Sequence, residues 1–190
     1  MTRTPQDPAQ PPVYGLHHSA YRCRDAEETR AFYEDVLGFP LVQALEIKGH
    51  PLTGEPVHYM HVFFDIGSQS KDRTSYIAFF DVPPEASAGH DFKFETQWGM
   101  DLHFAMEVAD QDAISTWKTR LEERGLEVDG PHDHGICTSI YFHDPNGYRL
   151  EFTTQNAAQN AEFDREAAIA HANLGKWTAD KSRGEAAAAE

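Results

Sequence analysis

Two stretches of the chain run through apolar and polar positions in the same order. Leu16–Val42 reads LHHSAYRCRDAEETRAFYEDVLGFPLV, and Leu102–Val128 reads LHFAMEVADQDAISTWKTRLEERGLEV. In each, a short period-two run gives way to a helical-period run, as where a strand feeds a helix. His18 precedes Asp25 by seven residues, and His103 precedes Asp110 by the same interval. Both aspartates are predicted helix N-caps, their carboxylates accepting from free N–H groups of the first turn. Glu28, three residues after Asp25, has the spacing of a capping box. Gly38 and Gly125 stand where the helices must end, able to take the left-handed C-terminal conformation.

Strands follow each helix, over Phe39–Lys48 and Leu126–Asp129. Val57–Ile66 and Ser75–Val82 are apolar and aromatic-rich, with polar residues between them. Gly135–His143 and Tyr148–Thr154 flank Asp144-Pro145-Asn146-Gly147, a strong turn signal. Each half therefore reads strand–helix–strand–strand–strand. The prediction is an α+β fold of two paired βαβββ modules, over about 13–82 and about 100–155, in a single domain spanning 13–155. A connector runs around Pro83–Gly99. Residues 1–12, with four prolines, are expected to be a disordered arm. Residues 156–190 are expected to form a helix and tail, since Phe163, Ala167, Ala170 and Leu174 make a narrow helical stripe.

Charge narrows the partners. With 16 basic and 31 acidic residues among 190, the formal net charge is −15. No basic patch could offset repulsion from nucleic acid or an anionic membrane, so neither is an expected partner. No apolar run nears the roughly 20 residues of a transmembrane helix, and MTRTPQDPAQPP lacks a signal peptide's apolar core. Only Cys23 and Cys137 are present, which suits a cytoplasmic protein rather than a disulfide framework.

Eleven histidines supply the chemistry to be sorted. Alternation puts Leu102, Phe104, Met106 and Val108 on one apolar face, leaving His103, Ala105 and Glu107 to point the other way. In the last strand Arg149, Glu151 and Thr153 share a face, with Leu150 and Phe152 on the apolar one. Glu151 is thus a carboxylate between hydrophobic neighbours, an expensive place for an unpaired charge. A divalent metal would remove that expense; so would pairing with Arg149 or Arg22. Two imidazoles from matched repeat positions plus one carboxylate suit Fe(II), Mn(II) or Zn(II), and with open positions are typical of non-haem iron. His17, adjacent to His18, is expected on the opposite face.

His18 ahead of Asp25, Phe32-Tyr33 with Leu37-Gly38, His103 ahead of Asp110, and Asp144-Pro145-Asn146-Gly147 leading to Glu151 together resemble the vicinal oxygen chelate superfamily. That superfamily comprises glyoxalases, bleomycin-resistance proteins and extradiol dioxygenases. The resemblance covers about Val13 to Thr154. Within it, Gly130-Pro131-His132 through Ile140-Tyr141, then Asp144-Pro145, Gly147 and Glu151, resemble the type I extradiol ring-cleavage signature. The resemblance implies a barrel-like assembly of the two modules and His18, His103 and Glu151 as ligands of Fe(II), with Mn(II) the other ion. It also implies substrate-side roles for Tyr141 and His132, a small aromatic diol and O2 as substrates, and a homo-oligomer. Aromatic catabolism is the setting it suggests.

Two departures bear on this. Glyoxalase-type relatives usually take a ligand from the last strand of the first module, but Ser75–Phe80 offers none at its centre. Three protein ligands leave an open coordination face, which favours an oxygenase over a glyoxalase-like isomerase or lyase. A non-catalytic, bleomycin-resistance-like binder is a further alternative, with no use for a metal triad. Conversely, the acid–base histidine of extradiol enzymes has only Ser75 or Tyr76 near its place, so His58, His61, His90 or His134 must supply proton transfer. His50, His143 and His171 read as ordinary surface residues.

Overall fold

The computed structural model describes residues 16–49, 54, 56–67, 74–82, 102–135, 137–155, 165 and 169–179. β1 (His18–Cys23) enters α1 (Ala26–Arg30), which continues as a wider π-type turn over Ala31–Val36. Asp25 caps α1 as predicted, its carboxylate accepting from Glu28 N at 2.7 Å. Glu28's own carboxylate turns to the Arg24 guanidinium at 2.5 Å, so the capping box does not close. β2 (Leu41–Ile47), β3 (Tyr59–Asp65) and β4 (Tyr76–Asp81) complete the first module. β5 (His103–Glu107), α2 (Gln111–Glu122), β6 (Asp129–Asp133), β7 (Cys137–His143) and β8 (Arg149–Gln155) make the second. Asp110 caps α2 by accepting from Ala113 N at 2.9 Å. Gly38 and Gly125 end the helical segments at φ +78° and +82°, where a Cβ would be strained.

The modules form two four-stranded sheets with the same topology, β1-β4-β3-β2 and β5-β8-β7-β6. In each the first strand runs parallel to the last, β1 with β4 and β5 with β8. Alternation then decides what each face carries. Val62, Phe64, Ile77 and Phe79 turn inward with Phe32, Tyr33 and Leu37, while Met106, Ile140, Phe142, Leu150 and Phe152 turn inward with Ile114 and Leu121. Leu102 precedes β5 and escapes the alternation expected of it; it is exposed.

Module two is fastened to module one by its turn. Asp144 is buried and accepts from Asn146 N at 2.9 Å, Tyr148 N at 2.8 Å and the Tyr33 hydroxyl at 3.1 Å. Asn146 accepts from Arg24 N at 2.8 Å and donates to the Thr29 hydroxyl at 3.2 Å. The Tyr148 hydroxyl donates to Arg22 O at 2.8 Å. Only about 10 Å³ of space remains among Tyr21, Tyr33, Phe79, Phe104 and Tyr148, so the junction is close-packed.

Two expectations change. The strand after α2, expected at Leu126–Asp129, begins where that stretch ends, so His132, beyond the expected strand, lies in an edge strand. Gly130 allows this: a Cβ there would meet Ser139 O at 2.7 Å, so only glycine permits β6 to approach β7. Pro131 is tolerated because β6 is at the sheet edge. At the other end, residues 169–179 are helical, but Ala170 and Leu174 of the expected stripe are exposed, as are Ile169 and Trp177. Phe163, Ala167, the arm, the connector and His90 lie outside the described residues.

Candidate active site

Opposite the helices, each sheet presents an open face. Because the modules share a topology, strand register gives equivalent positions. His18 pairs with Tyr76 and Ala20 with Ala78; His103 pairs with Arg149 and Ala105 with Glu151. Ala78 is therefore the counterpart of Glu151. Phe63 opposes Ala78 as Tyr141 opposes Glu151, and His61 opposes Phe80 as Ser139 opposes Thr153.

In module two the predicted residues gather. His103 Nε2 lies 3.2 Å from Glu151 Oε2. Glu151 is only 6% exposed, and Ser139 donates to its other oxygen, Oε1, at 2.5 Å. The Tyr141 ring stands 6.3 Å from the His103 ring and 6.2 Å from that of His132. The Tyr141 hydroxyl is within 3.0 Å of His134 Nε2, and the Arg149 guanidinium lies 4.5 Å from the Tyr141 ring centre. Burial, then the Glu151 charge, raises the Tyr141 pKa, so the phenol keeps its proton at neutral pH. His132 Nε2 sits 2.8 Å from Asp129 Oδ1, a bond that holds Asp129 below the usual carboxylate range.

Module one supplies rings. His61 lies between Phe80, stacked at 3.9 Å, and Phe63 at 4.3 Å. His61 Nδ1 lies 3.0 Å from Phe79 O. A carbonyl can only accept, so Nδ1 carries the proton and Nε2 keeps its lone pair. Burial lowers the His61 pKa, and the nearby His18 lowers it further, against that carbonyl bond. His58 is exposed beside Glu46, at 2.7 Å. A cavity of about 280 Å³ opens by His17, Val42, Gln43, Phe63 and Tyr76.

His18 stands apart from the His103–Glu151 pair. Its ring lies 5.6 Å from Phe63, and its Nδ1 is 2.8 Å from His17 Nδ1. His17 is thus beside His18, not opposed to it, because it precedes β1 and is not bound by strand alternation. Among the described residues no three His, Cys, Asp or Glu side chains are grouped to hold an ion. The His103–Glu151 pair does fit one. Nitrogen and oxygen donors each about 2.1 Å from a shared divalent ion lie roughly 3 Å apart, and an ion would neutralise the buried carboxylate.

Ser139, Asp129 and the buried role of Asp144 were not read from the sequence. Ser139 could have been found: counting back from the turn sets Tyr141 against Glu151, and Ser139 follows on the same face. The cross-module role of Asp144 could not, because Tyr33, whose hydroxyl donates to it, belongs to the other module.

Residues 15–152 match the Glyoxalase/Bleomycin resistance protein/Dioxygenase superfamily, and the chain belongs to it. It is 28% identical over 140 residues to biphenyl-2,3-diol 1,2-dioxygenase of Metapseudomonas furukawaii, covering 73% of this chain and 39% of that protein. An iron-dependent extradiol dioxygenase of Rhodococcus jostii is 24% identical over 145 residues, covering 73% and 42%. The chain thus spans about two fifths of the length of these relatives. Among solved structures, lactoylglutathione lyase of Agrobacterium tumefaciens superposes with a TM-score of 0.51 at 24% identity, over 76% of this chain and 96% of that one. That likeness is one of fold. Among the described residues no helix is long and apolar enough to cross a membrane.

Proposed function

We propose that the chain is an extradiol dioxygenase that opens the ring of a catechol-type substrate beside its two hydroxyls, both atoms of O2 entering the product. His103 and Glu151, joined by His18, would hold the Fe(II) or Mn(II). When bound, the ion supplies positive charge and redox capacity for O2 chemistry. The observation that carries this reading is the register pair Ala78 and Glu151: one module offers a carboxylate and the other a methyl group. A set of three donors with an open side suits oxygen chemistry better than a closed set of four.

The remaining steps belong to this chain's own side chains. Phe63 and Tyr76 border a cavity near the lower size limit for a small-molecule site, and their faces suit an aromatic ring. His61, the described candidate with a free Nε2 lone pair, accepts a phenolic proton and later returns it. Tyr141, kept protonated, donates to a substrate oxygen; His134 and Arg149 hold its ring and hydroxyl in place. His132, held through Nε2 by Asp129, has a proton to give from Nδ1 as the imidazolium, and in that form donates to charge developing on oxygen. The iron-dependent extradiol relative supports the choice of ion.

The test is to load the protein with Fe(II) without air, add a panel of catechols, then admit O2. Oxygen uptake with a yellow ring-opened product is the expected result. Metal binding without oxygen uptake on any catechol would favour a glyoxalase-like isomerase.

A further inference from the structure

Ser139 is wholly buried and makes no contact with bulk water. Its Oγ lies 2.5 Å from Glu151 Oε1 and 3.0 Å from Thr153 Oγ1. A hydroxyl has one proton to give, and an ionised carboxylate can only accept, so that proton goes to Glu151. The Glu151 Oε1 is thereby occupied, and Oε2 alone faces His103. We propose that Ser139 is a positioning residue which holds Glu151 so that it offers a single oxygen to a divalent ion. This rests on the functional reading above, since it concerns the same carboxylate.

The two modules supply the control. The counterparts of Ser139 and Thr153 are His61 and Phe80, which stack on one another at 3.9 Å. Hydroxyls occupy these positions only in the module that carries the carboxylate. A carboxylate free of Ser139 could turn both oxygens toward the ion and take up a position the substrate needs. It would also leave one oxygen buried without a partner, which is costly.

The experiment is Mn(II) binding to the full chain, followed by electron paramagnetic resonance, for the wild type, Ser139→Ala, Ser139→Val and Ser139→Thr. Thr and Val match in shape and differ in the hydroxyl, so any packing cost falls on both. Removal of a hydrogen-bond partner from a metal ligand typically weakens affinity about 10–100-fold. Ser139→Val and Ser139→Ala should show that loss, and Ser139→Thr should stay near the wild type. Equal affinities for the Thr and Val variants would overturn the positioning role alone. A wild type that binds no Mn(II) would overturn the functional reading beneath it.

Discussion

The two open sheet faces share one backbone plan and carry opposite chemistry. Where module two has Glu151, Tyr141, Ser139 and Thr153, module one has Ala78, Phe63, His61 and Phe80 at the same register positions. The leading histidine, His18 or His103, recurs in both, as does the alanine two residues on, Ala20 or Ala105. The modules share what folds them, the caps at Asp25 and Asp110 and the glycines at 38 and 125, and differ on the open face. One face is an acceptor and donor array, the other a wall of rings. A site between unlike faces can treat the two ends of a substrate differently, which a symmetric site could not.

The largest effect should come from the shared histidines. His103→Ala should abolish Mn(II) binding while far-ultraviolet circular dichroism stays unchanged, since His103 lies outside the core. His18→Ala should do the same if module one contributes a ligand; unaltered binding there would reduce the metal site to module two. Next, His61→Phe should lower turnover by about 10²–10⁴-fold, the range of general acid–base catalysis, with Mn(II) affinity intact. His58→Ala, exposed beside Glu46, should leave turnover alone. Equal losses in both would break the assignment of proton transfer to the ring wall.

A smaller effect concerns the join between the faces. Tyr33→Phe leaves Asp144 short of one hydrogen bond in a buried site and should cost about 1–3 kcal/mol in chemical denaturation. The pH dependence of stability follows from Asp144 itself, whose pKa burial raises. The folded state then binds this proton more tightly than the unfolded state. The stabilisation is present below the ordinary carboxylate range and is lost as pH rises through the raised folded value. Asp144→Asn removes that titration, so its stability relative to the wild type should improve between pH 4 and pH 7. The urea midpoints at the two pH values measure this, and an unchanged difference would remove Asp144 from the titration.

Much of this asymmetry was legible in the sequence. Period-two alternation was enough to put His103 and Glu151 on one face, and the absence of a ligand in Ser75–Phe80 can be read directly from the residues. The limits were physical. Gly130-Pro131-His132 has loop composition, yet a strand needs only a neighbour to pair with, and that neighbour appears only when β7 is in place. His17 was assigned by a rule that holds inside a strand and fails one residue before it. Ser139 has no composition signal, because a buried serine is recognised by the carboxylate it meets.

The Asp144–Asn146 turn has a consequence for how the chain reaches this structure. Its bonds to Tyr33, Thr29 and Arg24 join residues 111, 117 and 122 positions apart. Contacts this distant in sequence form only after a large loop closes, at a cost in chain entropy that nearby contacts do not carry. The first helical segment therefore waits for the last hairpin before its buried Tyr33 hydroxyl meets its acceptor. During synthesis it emerges long before that partner, and a ribosome-bound chain short of Asp144 would hold a first module whose Tyr33 hydroxyl lacks the carboxylate it meets in the finished fold.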